Sequence, residues 1–410
     1  MIIYNGRFGQ RRKPPPNSLA CAKRIYKLPF LVYCLHENRK ILRIKMTSKY
    51  KGPRIKPSKI TKGMAVDELV ERYFSAYNAA RLSEACRMLE KNILGEDTIT
   101  GVSLSGALTP AGLGASSIVT WIENGWIDYL VSTGANLYHD LHFGLDLPLH
   151  RSSPFVDDVK LREQKLIRIY DIIFDFDVLA QSDQYVYRVL KEPEFNKKMG
   201  TAELHYRLGK YVDATEKQTG SEGSTILAAA YRNAVPCFCP SPGDSTIGLN
   251  ISALSFNHTF PEIDITRDVN ESTAIAYEAK TKGKSAVLIF GGGSPKNFLL
   301  QTIPQLDEIL EIHVTGHDYF IQITDARPDT GGLSGATPHE AVSWGKVDPD
   351  GVPDTVVCYM DCSIAIPLIT SYLLNRREPL EPKRLYDRKD ELYEKLARRY
   401  HDKHDTLDHS

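Results

Sequence analysis

The sequence predicts an α/β fold: a mostly parallel central sheet with helices on both faces, preceded by a helical N-terminal extension. Two observations predict it. Short β-branched runs bounded by Gly or Pro recur along the chain, and helical stretches separate them. With 410 residues, 42% hydrophobic and 25% charged, the chain has ample material for a large core.

Residues 1–45 come first, as a basic leader. Eleven of the 51 Lys and Arg precede Met46 together with one acid, Glu37, leaving 40 basic and 50 acidic residues for the remainder. The leader holds Pro14-Pro15-Pro16 and an apolar patch from Leu28 to Leu35. Pro29 interrupts that patch and no small-residue cleavage site follows, a poor fit to a secretory signal. The leader reads as an upstream extension that packs poorly or is not native, with Met46 as the real start. A transit peptide or a nucleic-acid arm is the alternative.

Residues 46–98 form the helical extension. Beyond a basic strip ending at Lys62, the residues Val66, Leu69, Val70, Tyr73, Phe74 and Tyr77 share one helical stripe, which continues through Leu82, Ala85, Met88 and Leu89.

Residues 99–383 form the main domain. Ile99 to Leu104 reads as a strand ending in Ser105-Gly106, and a helix runs from about Ser116 to Glu123. Ile127 to Val131 is a strand followed by Ser132-Thr133-Gly134, and helical segments carry the chain from about Val159 to Tyr211. Val235–Cys239, Ala286–Phe290, Phe320–Ile323 and Val356–Tyr359 complete the strands. Residues 384–410 are a charged helical tail that faces solvent or packs on a neighbour.

Composition removes several functions. A formal net charge of zero excludes a whole-chain basic field for nucleic acid. No apolar run reaches the ~18 residues needed to cross a bilayer, so no membrane role is expected. Seven scattered cysteines point to a reducing cytoplasm and to inert buried thiols. Neither Cys237/Cys239 nor Cys358/Cys362 has metal-site spacing, so no metal is expected.

In an open parallel sheet, ligands bind beyond the carboxyl ends of the strands. Small and polar residues gather there: Thr133-Gly134, Asp244, Gly292 within a triple glycine, Asp325 and Asp361. Each alone is an ordinary turn residue; together they point to a dinucleotide, although no G-x-G-x-x-G is present. A second segment runs from Ser334 to Val347 and contains Glu340, Trp344 and Lys346. A lysine becomes nucleophilic when burial beside an aromatic lowers its pKa, and Trp344 supplies such a wall and a cation–π face. Glu340 suits a second ammonium. On composition alone, Trp344 as core and Lys346 as a surface residue after a glycine turn is the stronger reading.

The stretch His339-Glu340-Ala341-Val342-Ser343-Trp344-Gly345-Lys346 resembles the active-site segment of the deoxyhypusine synthase family, as does Gly291-Gly292-Gly293-x-x-Lys296. Ser132-Thr133-Gly134, Pro240 to Gly248 and the strand into Asp361 fit the same family in order, over about Val66 to Asn375. The resemblance implies a Rossmann-like subunit, a homotetramer, and interfacial sites that bind NAD. It also implies an aminobutyl group drawn from spermidine, held on the lysine matching Lys346 as an imine, and passed to an acceptor amine. Trp344, Glu340 and Asn297 then bind substrate, and Thr133, Gly134, Asp244, Gly292, Asp325, Ser334 and Asp361 bind cofactor.

Departures define a branch. The family's histidine after Lys296 is Asn297 here; carboxylates expected near Gly248 and before Ser334 are Leu249 and Leu333; a paired Glu-Glu is Tyr138-His139. The pattern resembles the bacterial deoxyhypusine synthase-like branch, with Lys346 chemistry kept and a small amine as acceptor or donor. The alternatives are a true deoxyhypusine synthase acting on the translation factor 5A precursor and a catalytically silent NAD- or polyamine-binding paralogue.

Overall fold

The computed structural model describes residues 51–257 and 260–404, so the basic leader lies outside the described residues. The chain divides after Lys56; residues 51–56 of the first unit are exposed, without helix or strand. From Pro57 onward the second unit is built on six strands: β1 (Thr98–Leu104), β2 (Tyr129–Ser132), β3 (Cys237–Phe238), β4 (Lys284–Phe290), β5 (Tyr319–Thr324) and β6 (Thr355–Tyr359). They lie in the order β6-β5-β4-β1-β2-β3, every neighbour parallel. This is the doubly wound order, in which the chain runs outward one way from β1 and the other way from β4.

Both faces of the sheet are buried along most of its length, and apolar residues of the strands point to both sides. Val102, Leu104, Leu288, Phe290, Ile321 and Ile323 point into one core. Helices α1 (Val66–Tyr73), α2 (Tyr77–Met88), α3 (Gly134–Gly144), α4 (Phe176–Leu190), α5 (Thr201–Thr219) and α6 (Ile226–Asn233) belong to that side. Their alternates Tyr129, Val131, Val287, Ile289 and Phe320 point into the other core. It is shared with α8 (Ile265–Lys282), α9 (Gly293–Pro304) and α12 (Lys389–His404). Between β3 and α8 lies α7 (Thr246–Ser255); α10 (Pro338–Ser343) joins β5 to β6, and α11 (Cys362–Leu374) follows β6.

Two local expectations change and a third is refined. The helix from Val66 breaks at Phe74–Ala76, because Tyr77 takes a left-handed φ of 58°; that tyrosine, expected on the apolar stripe, is 94% exposed. Within the helical middle, Leu166–Ile169 and Ile172–Asp175 pair antiparallel around Tyr170-Asp171. Tyr170, at φ 54°, makes the tight turn that β-branched flanks favour, a hairpin rather than a helix. Among its described residues the charged tail faces solvent on one side, with Glu394, Arg398 and Arg399 exposed, and packs on its own chain on the other. Its Leu392 and Leu396 are buried in the second core, and Arg388 and Lys395 reach Glu278 on α8 at 2.9 and 2.6 Å.

Candidate active site

Between β1 and β4 the sheet reverses its winding, and the chain there is built for close approach. Gly291 and Gly293 hold φ values of 80° and 59°, which favour glycine. A Cβ on Gly292 would lie 2.4 Å from the Ser334 Cβ. Ser105, just past β1, accepts a hydrogen bond from Gly292 N at 3.1 Å and donates to the Gly292 carbonyl. Ser334 Oγ accepts from Gly293 N at 2.9 Å.

In front of this turn lies a crevice of about 200 Å³, lined by Ser105, Gly106, Thr133, Gly134, Asp244, Gly293 and Ser294 among others. Thr133 caps α3 by accepting from Asn136 N, and its hydroxyl donates to Gly106 O at 2.6 Å. A Cβ on Gly134 would strike Ser245, the cap of α7, at 2.3 Å. Backbone amides, hydroxyls and one exposed carboxylate suit the phosphates and ribose of a nucleotide. The expected cofactor residues therefore divide. Thr133, Gly134 and Asp244 line the crevice, while Gly292 and Ser334 pack on each other and are not among its lining residues. Asp325 and Asp361 are exposed past β5 and β6 and are not among its lining residues; Asp361 caps α11 through Ser363 N at 2.6 Å.

Lys346 lies elsewhere, on the flank of the sheet. A cavity of about 480 Å³ opens between α9 and α10, lined by Phe320 of β5, by Lys296 and Asn297, and by Glu308, Glu340, Trp344 and Lys346. The local fold explains the Trp-Gly-Lys order. Thr337 caps α10 by accepting from Glu340 N at 3.2 Å. The helix ends at Trp344, Gly345 takes φ 66°, and Gly345 N and Lys346 N donate back to Val342 O and Ala341 O, each at 3.0 Å. This is a Schellman ending, and it needs glycine at the left-handed position. Past it, His317 N donates to Lys346 O at 3.0 Å and Asp348 N to His317 O at 3.2 Å, so the backbone carrying Lys346 is fastened to the chain entering β5.

The Lys346 Nζ donates to Asn297 Oδ1 at 3.3 Å and lies 5.7 Å from the Trp344 ring centroid. Burial lowers its pKa, while Glu308 and Glu340 pull the other way. The structure thus joins Lys346, Trp344, Glu340 and Asn297 in one cavity. It corrects one detail: Trp344 is 61% exposed, so the indole is a lid at the rim and not a buried wall.

Sequence reasoning passed over Lys296 as a site residue. Its side chain is 1% exposed and its ammonium donates to Gln322 Oε1 at 3.0 Å, Ala336 O at 2.7 Å and Ser334 O at 3.3 Å. Burial, with Lys346 nearby, lowers its pKa to about 8, opposed by Glu340. The available signal was Gln322, a lone amide inside the apolar strand Tyr319–Thr324, since a buried amide needs a partner. Glu308, in a charged turn after α9, carried no such signal. Tyr138 and His139 turn away from the crevice: the Tyr138 hydroxyl donates to Asp183 at 2.5 Å and His139 bonds His142 at 3.1 Å.

Among the described residues no cluster could hold a metal ion, and no helix is long and apolar enough to cross a membrane. A profile of the family "Deoxyhypusine synthase" matches residues 68–373. The "Deoxyhypusine synthase-like protein" of Nostoc punctiforme is 54% identical over 354 residues, covering 86% of this chain and 91% of that one. The "Probable deoxyhypusine synthase 1" of Methanosarcina acetivorans is 37% identical over 326 residues, covering 78% and 95%. The solved structure of a "putative deoxyhypusine synthase from Entamoeba histolytica" shares the fold, with a TM-score of 0.50 at 14% identity, covering 80% of this chain and 99% of that one.

Proposed function

The chain belongs to the deoxyhypusine synthase family, and we propose that it is an NAD-dependent transferase moving an aminoalkyl group from a polyamine to an acceptor amine through an imine on Lys346. The observation that carries this reading is the Lys346 amine, set in a cavity against Asn297 and Trp344 with its pKa depressed by burial.

The steps assigned to this chain's residues balance. Neutral Lys346 adds to the activated carbon of the donor. A C=N bond to Nζ forms as the bond to the donor's original nitrogen breaks, and the departing amine carries off the proton from Nζ. The acceptor amine reverses the exchange and frees the lysine. Asn297 orients Nζ by accepting its hydrogen bond, Glu340 holds a substrate ammonium, and the Trp344 face covers the positive charge as it develops. When bound in the crevice, NAD supplies reversible hydride chemistry at the donor carbon, so the transfer is redox-neutral overall. Thr133, Gly134, Asp244, Gly292 and Ser334 would hold it, with Asp325 and Asp361 flanking.

Leu249 and Leu333 stand where the family places ammonium-binding carboxylates and are 61% and 42% exposed. Their loss favours a small acceptor such as putrescine or agmatine over a lysine on a protein. The same reading includes a cytoplasmic homotetramer. The test is borohydride trapping of the protein with NAD and spermidine, followed by peptide mass spectrometry. An aminobutyl adduct on Lys346 is expected; no adduct with any di- or polyamine rejects the proposal. Radiolabel entering a partner protein would move the acceptor assignment to a lysine side chain.

A further inference from the structure

The cavity around Lys346 does not end at its own walls. A second hollow of about 420 Å³ shares Asn297, Gln301, Pro304 and Glu308 with it. Glu308 thus borders both. Its placement follows from a change of helix type. Directly after α9, Gln305–Ile309 form a π-helical turn closed by Leu310 N donating to Gln305 O at 2.9 Å. That wider turn keeps Leu306 in the core and leaves Glu308 exposed at the rim; such turns recur at functional sites.

Among the described residues, neither the Glu308 nor the Glu340 carboxylate makes a hydrogen bond or an ion pair. The neighbouring Asp307, by contrast, pairs with His313 at 2.8 Å. Glu340 comes from α10 and Glu308 from the turn after α9, the two walls of the cavity, and both act on Lys346. A pair of unpartnered carboxylates around a lysine that must be uncharged to react is an arrangement for binding cations that the lysine itself does not supply.

We propose that Glu308 is the second ammonium anchor of this site, so that its substrate is an α,ω-diamine or longer polyamine with one ammonium on Glu340 and another on Glu308, its methylene chain passing Lys346. This rests on the transfer reading above and supplies an anchor that Leu249 and Leu333 do not.

The test is calorimetric titration of the full-length protein with spermidine, putrescine and n-butylamine, run beside the trapping assay. Glu308→Gln is expected to weaken spermidine and putrescine roughly 10- to 100-fold, the scale of a lost charged hydrogen bond. Binding of n-butylamine, whose single charge Glu340 holds, is unchanged, and Asp307→Asn alters neither. Equal spermidine affinity in wild type and Glu308→Gln, or an equal loss for all three amines, overturns the proposal. Selective weakening without any Lys346 adduct leaves the anchor standing and removes the transferase reading. An adduct with no Glu308 effect does the reverse, and no amine binding by the wild type removes both.

Discussion

The ammonium of Lys296 reaches across 40 residues of sequence to donate to the Ala336 carbonyl oxygen at 2.7 Å. That bond, with those to Gln322 and Ser334, ties the first turn of α9 to β5 and to the loop that leads into α10. A buried cation is costly unless its donors are used, and here all three acceptors belong to elements of the site. Lys296→Met keeps the length and removes the donors. It is expected to destabilise the fold by about 2–4 kcal/mol in urea unfolding at pH 7 and to weaken amine binding. The pH dependence has a defined sign. With a folded pKa of about 8 against an ordinary 10.5, the unfolded chain binds the extra proton between those values. Wild-type stability therefore gains on the variant as pH rises through that window.

Replacing Lys346 isolates the nucleophile. Lys346→Arg keeps a charge near Trp344 but has no amine that can be deprotonated at working pH. Trapping on this residue and product formation are expected to vanish, while the melting temperature stays near that of wild type because the side chain is only part-buried. Turnover by Lys346→Arg at the wild-type rate would exclude an imine on this residue.

Gly292→Ala probes the glycine turn behind the crevice. Its new Cβ would press on Ser334 at 2.4 Å, and Ser334 backbone is already held by Gln322 and Lys296. The expected result is a stability loss of about 1–3 kcal/mol, the cost of overpacking, and a large loss of NAD affinity by fluorescence titration. The paired variant Gly292→Ala/Ser334→Gly is expected to recover part of both.

Buried imidazoles are expected to make the fold sensitive to acid. His205 is buried with Nδ1 2.8 Å from Cys237 O, and burial lowers its pKa to about 4; His317, beneath the Lys346 segment, falls to about 3. Folded histidines that stay neutral while unfolded ones protonate contribute stability above about pH 6.5 that is lost as pH falls toward the folded values. His205 alone is expected to cost about 2 kcal/mol between pH 7 and pH 5. Urea midpoints at the two pH values check this, and His205→Asn is expected to reduce the difference by that share, leaving the part due to His317.

The strand runs and their polar ends were legible in the sequence because each is a local pattern, whereas the Glu340–Lys346 segment was legible through its resemblance to the family's active-site stretch and not from composition. The Trp-Gly-Lys order is itself a helix ending, with Gly345 at φ 66°. What was not legible depended on distant partners. Lys296 is a site residue only because Gln322, Ser334 and Ala336 converge on it. The hairpin around Tyr170 lay inside a stretch whose apolar residues also fit a helix, and period alone does not separate short runs of that kind. Glu308 owes its place to a π-helical turn, which no short-range signal announced.

One helix borders all three hollows: Gly293 and Ser294 of α9 flank the crevice, Asn297 and Gln301 line the Lys346 cavity, and Pro304 reaches the far lobe. Its 12 residues rise about 18 Å, so the site carries a ruler made of backbone. Under the proposed chemistry, changing a side chain along it tunes how tightly a substrate is gripped. Inserting one residue into it would instead alter which methylene the reaction selects, and an enzyme of this design would change its product by changing its gauge.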